Sequence, residues 1–114
     1  MADRQIMTFG YSEYADEFTM GNDYELLQIV KTQAQPNVFM KLINKDNTNG
    51  IKYKILGKIV RSGSEDTIVA EKVLSAGDTV LEAHSTKYSY FLLYAKTETA
   101  DQTPILKVEY NQRS

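Results

Sequence analysis

His84 is the chain's only histidine and there is no cysteine, so few of its 114 residues are equipped for catalysis. Thiol nucleophiles, disulfide scaffolds, cysteine-type zinc sites and iron–sulfur centres are excluded by composition. His84 could in principle assist Ser85 or Ser89, with an acid completing a triad. A nucleophilic serine needs a strained glycine elbow to present its hydroxyl, and Ser62-Gly63-Ser64 reads as an ordinary turn. Asp46-Asn47-Thr48-Asn49-Gly50 resembles the start of a calcium loop but lacks the later bidentate glutamate, so a turn accounts for it. The six glycines are isolated, with no phosphate-cradling loop among them. The expectation is a non-enzymatic protein with no catalytic residue, cofactor or metal, and a structural role for His84.

Residues suited to binding are more plentiful. Ile51, Tyr53, Ile55, Gly57 and Ile59 share one face of a period-2 segment, and Lys52, Lys54 and Lys58 share the other. Such a lysine row could meet phosphate while tyrosines stack on bases. Tyr53, however, lies opposite the lysines, and 13 basic against 15 acidic residues leave a net charge of −2. Nucleic acid is therefore not the expected partner, and the row reads as a solvated face or a charged edge that blocks unwanted pairing. Tyr88, Tyr90 and Tyr94 alternate with Phe91, Leu93 and Ala95. Either the tyrosines form an interface stripe on an outer sheet surface, or the whole strand is buried between layers. A third group, Phe9, Tyr11, Tyr14 and Phe18, lies in an acidic segment: residues 1–25 carry a net −5, whereas residues 41–61 carry +5. Residues 1–20 read as an arm with one helical turn over Ser12 to Phe18, placing Tyr14 and Phe18 on one face. The arm can fold back across the lysine face of its own domain or reach a neighbouring subunit.

The elements that position these groups are β-strands. Val, Ile, Thr and aromatic residues supply 37 of 114 positions. Strands are expected near 24–32, 38–44, 51–60, 67–74, 79–84, 88–96 and 105–110, although 24–32 could also form a short buried helix. Asn49-Gly50 signals a hairpin between the second and third of these. Gly57, inside the best strand, signals a bulge or a close backbone approach. About seven strands at this spacing make an all-β antiparallel sandwich, one domain over 21–114 with the arm at 1–20. Ile51, Tyr53, Ile55, Ile59, Phe91, Leu93, Leu106 and Val108 are the core candidates. The N-terminus lacks the pattern of a signal peptide, and the longest apolar run, Tyr90 to Ala95, is far short of a membrane span. A soluble protein made in a cytoplasm, without membrane contact, is expected.

The stretch Glu71-Lys72-Val73-Leu74-Ser75-Ala76-Gly77-Asp78, then Ser85 to Lys96, then Leu106-Lys107-Val108-Glu109-Tyr110, resembles the C-terminal part of small β-sandwich virion accessory proteins, the decoration or cement proteins of tailed viruses. The resemblance covers residues 50–114 and is one of texture: a Leu-Ser-Ala-Gly turn, an aromatic strand and a short closing strand. It transfers no site residue. It implies a structural protein of the virion that binds the major capsid protein and locks the shell, alone or with copies of itself as a homotrimer. The alternative is a sandwich module on a tail fibre that recognises carbohydrate or a host receptor.

Overall fold

The computed structural model describes residues 6–8, 11–32 and 35–113. Nine strands form: β1 (Ile6–Thr8), β2 (Tyr11–Thr19), β3 (Glu25–Lys31), β4 (Asn37–Asn44), β5 (Ile51–Lys58), β6 (Asp66–Leu74), β7 (Thr79–Ser85), β8 (Tyr90–Thr97) and β9 (Ile105–Arg113). Among the described residues there is no helix, so none is long and apolar enough to cross a membrane. A five-stranded sheet has the order β1-β2-β9-β4-β7 and a four-stranded sheet the order β3-β8-β5-β6. All pairings are antiparallel. Leaving β1 aside, the two interleaved sheets of four make the eight-stranded double Greek key of a jelly roll.

Alternation decides what fills the space between the sheets. On β5 every second residue is buried, bringing Ile51, Tyr53 and Ile55 inward. Phe91, Leu93 and Ala95 of β8 join them, and Met40 and Leu42 of β4 with Leu106 and Val108 of β9 close the core from the opposite sheet. Ile59 is not part of this core. β5 ends at Lys58 and the chain turns away, leaving Ile59 58% exposed.

The segment expected to be an arm is, over residues 11–19, a strand of the sheet. β2 pairs with β9 from Tyr11↔Arg113 to Thr19↔Ile105, so the helical turn expected within 12–18 is replaced by extended backbone. Phe18 packs on the core and Met20 is buried in it. β2 therefore adds to the five-stranded sheet and does not cross the lysine face of β5, which belongs to the other sheet. Complementarity with the basic 41–61 region includes, among the described residues, the ion pair of Lys45 Nζ with Glu17 Oε2 at 2.9 Å.

Six of the seven connections from β2 to β9 cross between sheets; β5 and β6 alone form a hairpin within one. The Asn49-Gly50 signal is thus misdirected. β4 and β5 lie in different sheets, and neither residue adopts the positive φ that a type I′ hairpin turn requires. Asp46 organises the crossing: its Oδ2 accepts from the backbone N–H groups of Thr48 (3.0 Å) and Asn49 (2.6 Å). Those two bonds hold its carboxyl below the usual aspartate range.

Gly57 marks a close approach, as its placement inside a strand suggests. A Cβ there would lie 2.5 Å from Tyr88 Cγ and 2.9 Å from Ile68 Cδ1. Tyr88 precedes β8 and turns its ring into this gap, with its hydroxyl 3.2 Å from Asp66 Oδ2. Gly57→Ala should accordingly cost about 1–3 kcal/mol by overpacking. Urea unfolding checks this, and the same change in a Tyr88→Ala background should cost less than half as much. Equal costs in the two backgrounds would mean that the ring is not what the methyl meets.

Candidate interaction face

Pairing in the four-stranded sheet gathers the lysine row and two of the three stripe tyrosines on its outer surface. In register across β3, β8 and β5, Lys31 lies beside Tyr90 and then Lys58, Ile29 beside Leu92 and Leu56, and Leu26 beside Tyr94 and Lys54. Lys52 pairs with Lys96 one step further. A β-bulge between Leu26 and Gln28 lets Leu26 and Ile29, three residues apart, share the outer face. The result is an apolar band between two rows of tyrosine and lysine.

Leu26, Ile29, Lys31, Lys58, Arg61, Tyr90, Leu92 and Tyr94 line a groove of about 290 Å³ on this face. Leu92 forms its floor, only 3% exposed although it points away from the core. The rim holds three cations, and no acid is among the lining residues. Toward β6 the surface is polar and organised. Lys54 Nζ lies 4.3 Å from the Tyr24 ring centroid and Lys96 Nζ 4.9 Å from it, both within cation–π range. The Tyr24 hydroxyl donates to Glu71. Its pKa is raised by burial first and by the adjacent carboxylate second. Glu71 is held low, mainly by that hydrogen bond and further by the surrounding lysines. Tyr94 donates to Glu65 Oε2 at 2.6 Å, which with burial pushes its pKa up to about 12. These tyrosines remain neutral donors at physiological pH.

Of the residues selected from sequence, Lys52, Lys54, Lys58, Tyr90 and Tyr94 thus share one face. Tyr88 does not: it fills the gap at Gly57. Phe18 packs on the core from the other sheet. Phe9 lies outside the described residues, as do the side chains of Tyr11 and Tyr14, whose backbones belong to β2. The sequence reading missed Tyr24, Leu26, Ile29, Arg61, Leu92 and Lys96. Only the β3–β8–β5 register reveals them, although the Leu26/Ile29 spacing was a visible irregularity in an otherwise strand-like run.

The outer surface of the five-stranded sheet is different in kind. Lys107 and Glu109 pair at 3.2 Å, Arg113 lies 5.5 Å from the Phe39 ring, and Leu81 stands exposed among them. A second groove, of about 470 Å³, lies on this face between Phe39, Lys41, Leu81 and Glu109, and unlike the first it carries charges of both signs.

Inside the sandwich, where β6 and β7 form the open side, sits a cluster around Glu82. Its Oε2 accepts from the Tyr53 hydroxyl at 2.5 Å and lies 3.5 Å from Lys72 Nζ, and its Oε1 is 2.9 Å from His84 Nε2. Burial alone would raise the Glu82 pKa, but the bonds from Tyr53 and His84 and the charge of Lys72 outweigh it and hold the carboxyl low. His84 also meets the Phe91 ring at 5.6 Å. By strand alternation His84 and Ser85 project to opposite sides of β7, so they are not arranged as nucleophile and base. The cluster closes an edge of the sandwich with satisfied polar groups. Among the described residues, no three carboxylate or histidine side chains gather as metal ligands would.

No family model matches the chain, and no curated protein matches it. Among solved structures it is similar to a chain from work described as "Bacillus endospore appendages form a novel family of disulfide-linked pili". The TM-score is 0.61 at 8% identity, covering 99% of this chain and 93% of that one. This is a likeness of fold across the whole jelly roll. A chain in the crystal structure of Drosophila melanogaster CENP-C bound to CAL1 aligns at a TM-score of 0.45 and 11% identity, covering 93% of this chain and 79% of that one, too loosely to bear on the fold.

Proposed function

We propose that this chain is a non-enzymatic structural subunit that assembles with copies of itself through the outer face of its four-stranded sheet. The observation that carries the reading is the groove on that face, where an apolar floor is rimmed by tyrosine and by cations. Tyrosine and arginine around a desolvated centre are the ingredients of protein–protein hot spots. The setting we favour is the surface of a virus particle, with the major capsid protein as the further partner of a decoration subunit. Support for that setting is the textural resemblance of residues 50–114. A second reading, a subunit of an extracellular filament, is favoured by the fold likeness to an appendage pilus protein over nearly the full chain. With no cysteine in these 114 residues, a filament of this chain would be held by packing and not by the disulfides of that relative.

Light scattering on the eluting protein, with electron microscopy of the same sample, tests both. Association at concentrations up to about 0.1 mM is expected. Filaments would select the appendage reading, and a closed oligomer that binds capsid shells would select decoration. A protein that stays monomeric at that concentration would overturn the proposal.

A further inference from the structure

We infer that the basic groove receives the acidic loop end of a second copy, so that subunits associate head to tail. This rests on the self-assembly reading above and names the two surfaces involved. The jelly roll has two chemically different ends. The loops at 20–24, 45–50, 75–78 and 98–104 lie together at one end, joined by backbone and side-chain bonds: Thr97 N to Gly21 O, Glu98 N to Gly50 O, Asn44 N to Asp78 O, and Asn49 Nδ2 to Gln102 Oε1. They carry Asp23, Asp46, Asp78, Glu98 and Asp101 against Lys45 alone, and Lys45 is already engaged by Glu17. The opposite end holds Arg61, Lys87 and Glu65 in its loops, with Lys31, Lys58, Asp66 and Arg113 at the strand ends, so cations outnumber acids there.

The acidic end presents a fixed projection. Asp101 adopts φ 66°, a left-handed conformation that aspartate tolerates better than most residues. Two bonds to Asn22 hold it there, Asn22 Nδ2 to Asp101 Oδ1 at 3.1 Å and Asp101 N to Asn22 Oδ1 at 2.7 Å. At the other end the groove offers Lys31, Lys58 and Arg61 over the Leu92 floor, and Ile59 and Val60 continue the apolar surface beyond it. An eight-residue strand separates the two ends by roughly 26 Å, well over a Debye length, so one molecule cannot satisfy its own groove. A symmetric groove-to-groove pair would set cations against cations. A contact between two unlike surfaces avoids this, and being heterologous it propagates into a ring or a filament.

Two variants test the inference. One reverses the groove (Lys58→Glu with Arg61→Glu). The other neutralises the acidic end (Asp101→Asn with Glu98→Gln), keeping a residue that accepts the left-handed backbone. Circular dichroism confirms folding, and sedimentation measures association. Wild type should associate, less so as salt rises, and each variant alone should associate at least about tenfold more weakly. An equimolar mixture should recover association but stop at one heterodimer, because each partner retains only one working surface. If the mixture stays monomeric, or if either variant alone assembles like wild type, the head-to-tail contact is wrong while self-assembly stands. If wild type is monomeric throughout, both readings fall, and binding of an acidic peptide or heparin would then identify a foreign anion as the groove's occupant.

Discussion

Replacing Phe91 with alanine should lower the unfolding free energy by about 3–5 kcal/mol, the range for a buried aromatic truncated in a core that relaxes only in part. Phe91 has no exposed surface and lies on β8, an inner strand of its sheet, with Val30 and Gly57 as its register partners. It also backs His84, so its loss opens a void beside the Glu82 cluster. A domain of this size is stable by about 5–15 kcal/mol, so the variant should be marginal when warm. Phe91→Leu, which retains most of the volume, should cost less than about 1.5 kcal/mol. Urea denaturation of both variants gives the comparison. A cost below about 1 kcal/mol for the alanine variant would mean that this side chain does not anchor the core.

Glu82→Gln should cost about 1–3 kcal/mol near neutral pH by weakening the charge-assisted bonds to Tyr53 and His84. The pH dependence is the sharper measurement. A carboxyl whose folded pKa lies below its unfolded value adds stability that is fully present above the unfolded pKa and is lost as pH falls through the folded one. Glu82 is of this kind, its pKa lowered from the ordinary 4.5. The gap between wild type and Glu82→Gln should therefore hold from neutral pH down to the unfolded value and close below it. A gap that stays open at pH values well below the unfolded pKa would show that the wild-type residue is not held as a carboxylate.

All seven expected strands are present; alternation of large apolar residues against the common core is regular in β4, β5 and β9, whereas β6 and β7 bury few apolar side chains and β7 turns Glu82 and His84 inward. β2 was hidden by its charge: Asp16 falls opposite Val108 on the inward parity, so a carboxylate interrupts the apolar alternation that marks β4, β5 and β9. Ile59 misled in the opposite sense, since its parity continues beyond the point where pairing stops. Asn49-Gly50 read as a hairpin because local chemistry reports that the chain turns but not which sheet it enters. The interaction face was half legible. The lysine row lies within one strand, whereas Leu26, Ile29 and Leu92 become a band only through pairings more than sixty residues apart in sequence. The gap that takes Tyr88 likewise depends on where β8 meets β5, which no local pattern encodes.

The placement of the last two strands has a consequence for synthesis. β8 lies between β3 and β5, and β9 between β2 and β4. While the chain is being made, β2 and β3 have no neighbour to bond except the short β1, and of the later strands only β4 with β7 and β5 with β6 can pair. Both sheets must wait for residues 90–113 before they can knit together. Non-local pairing of this degree makes folding slow. A nascent chain halted before Tyr90 would expose unpaired strand edges to every other chain in its vicinity, so the ribosome-bound stage is the one most open to misassociation.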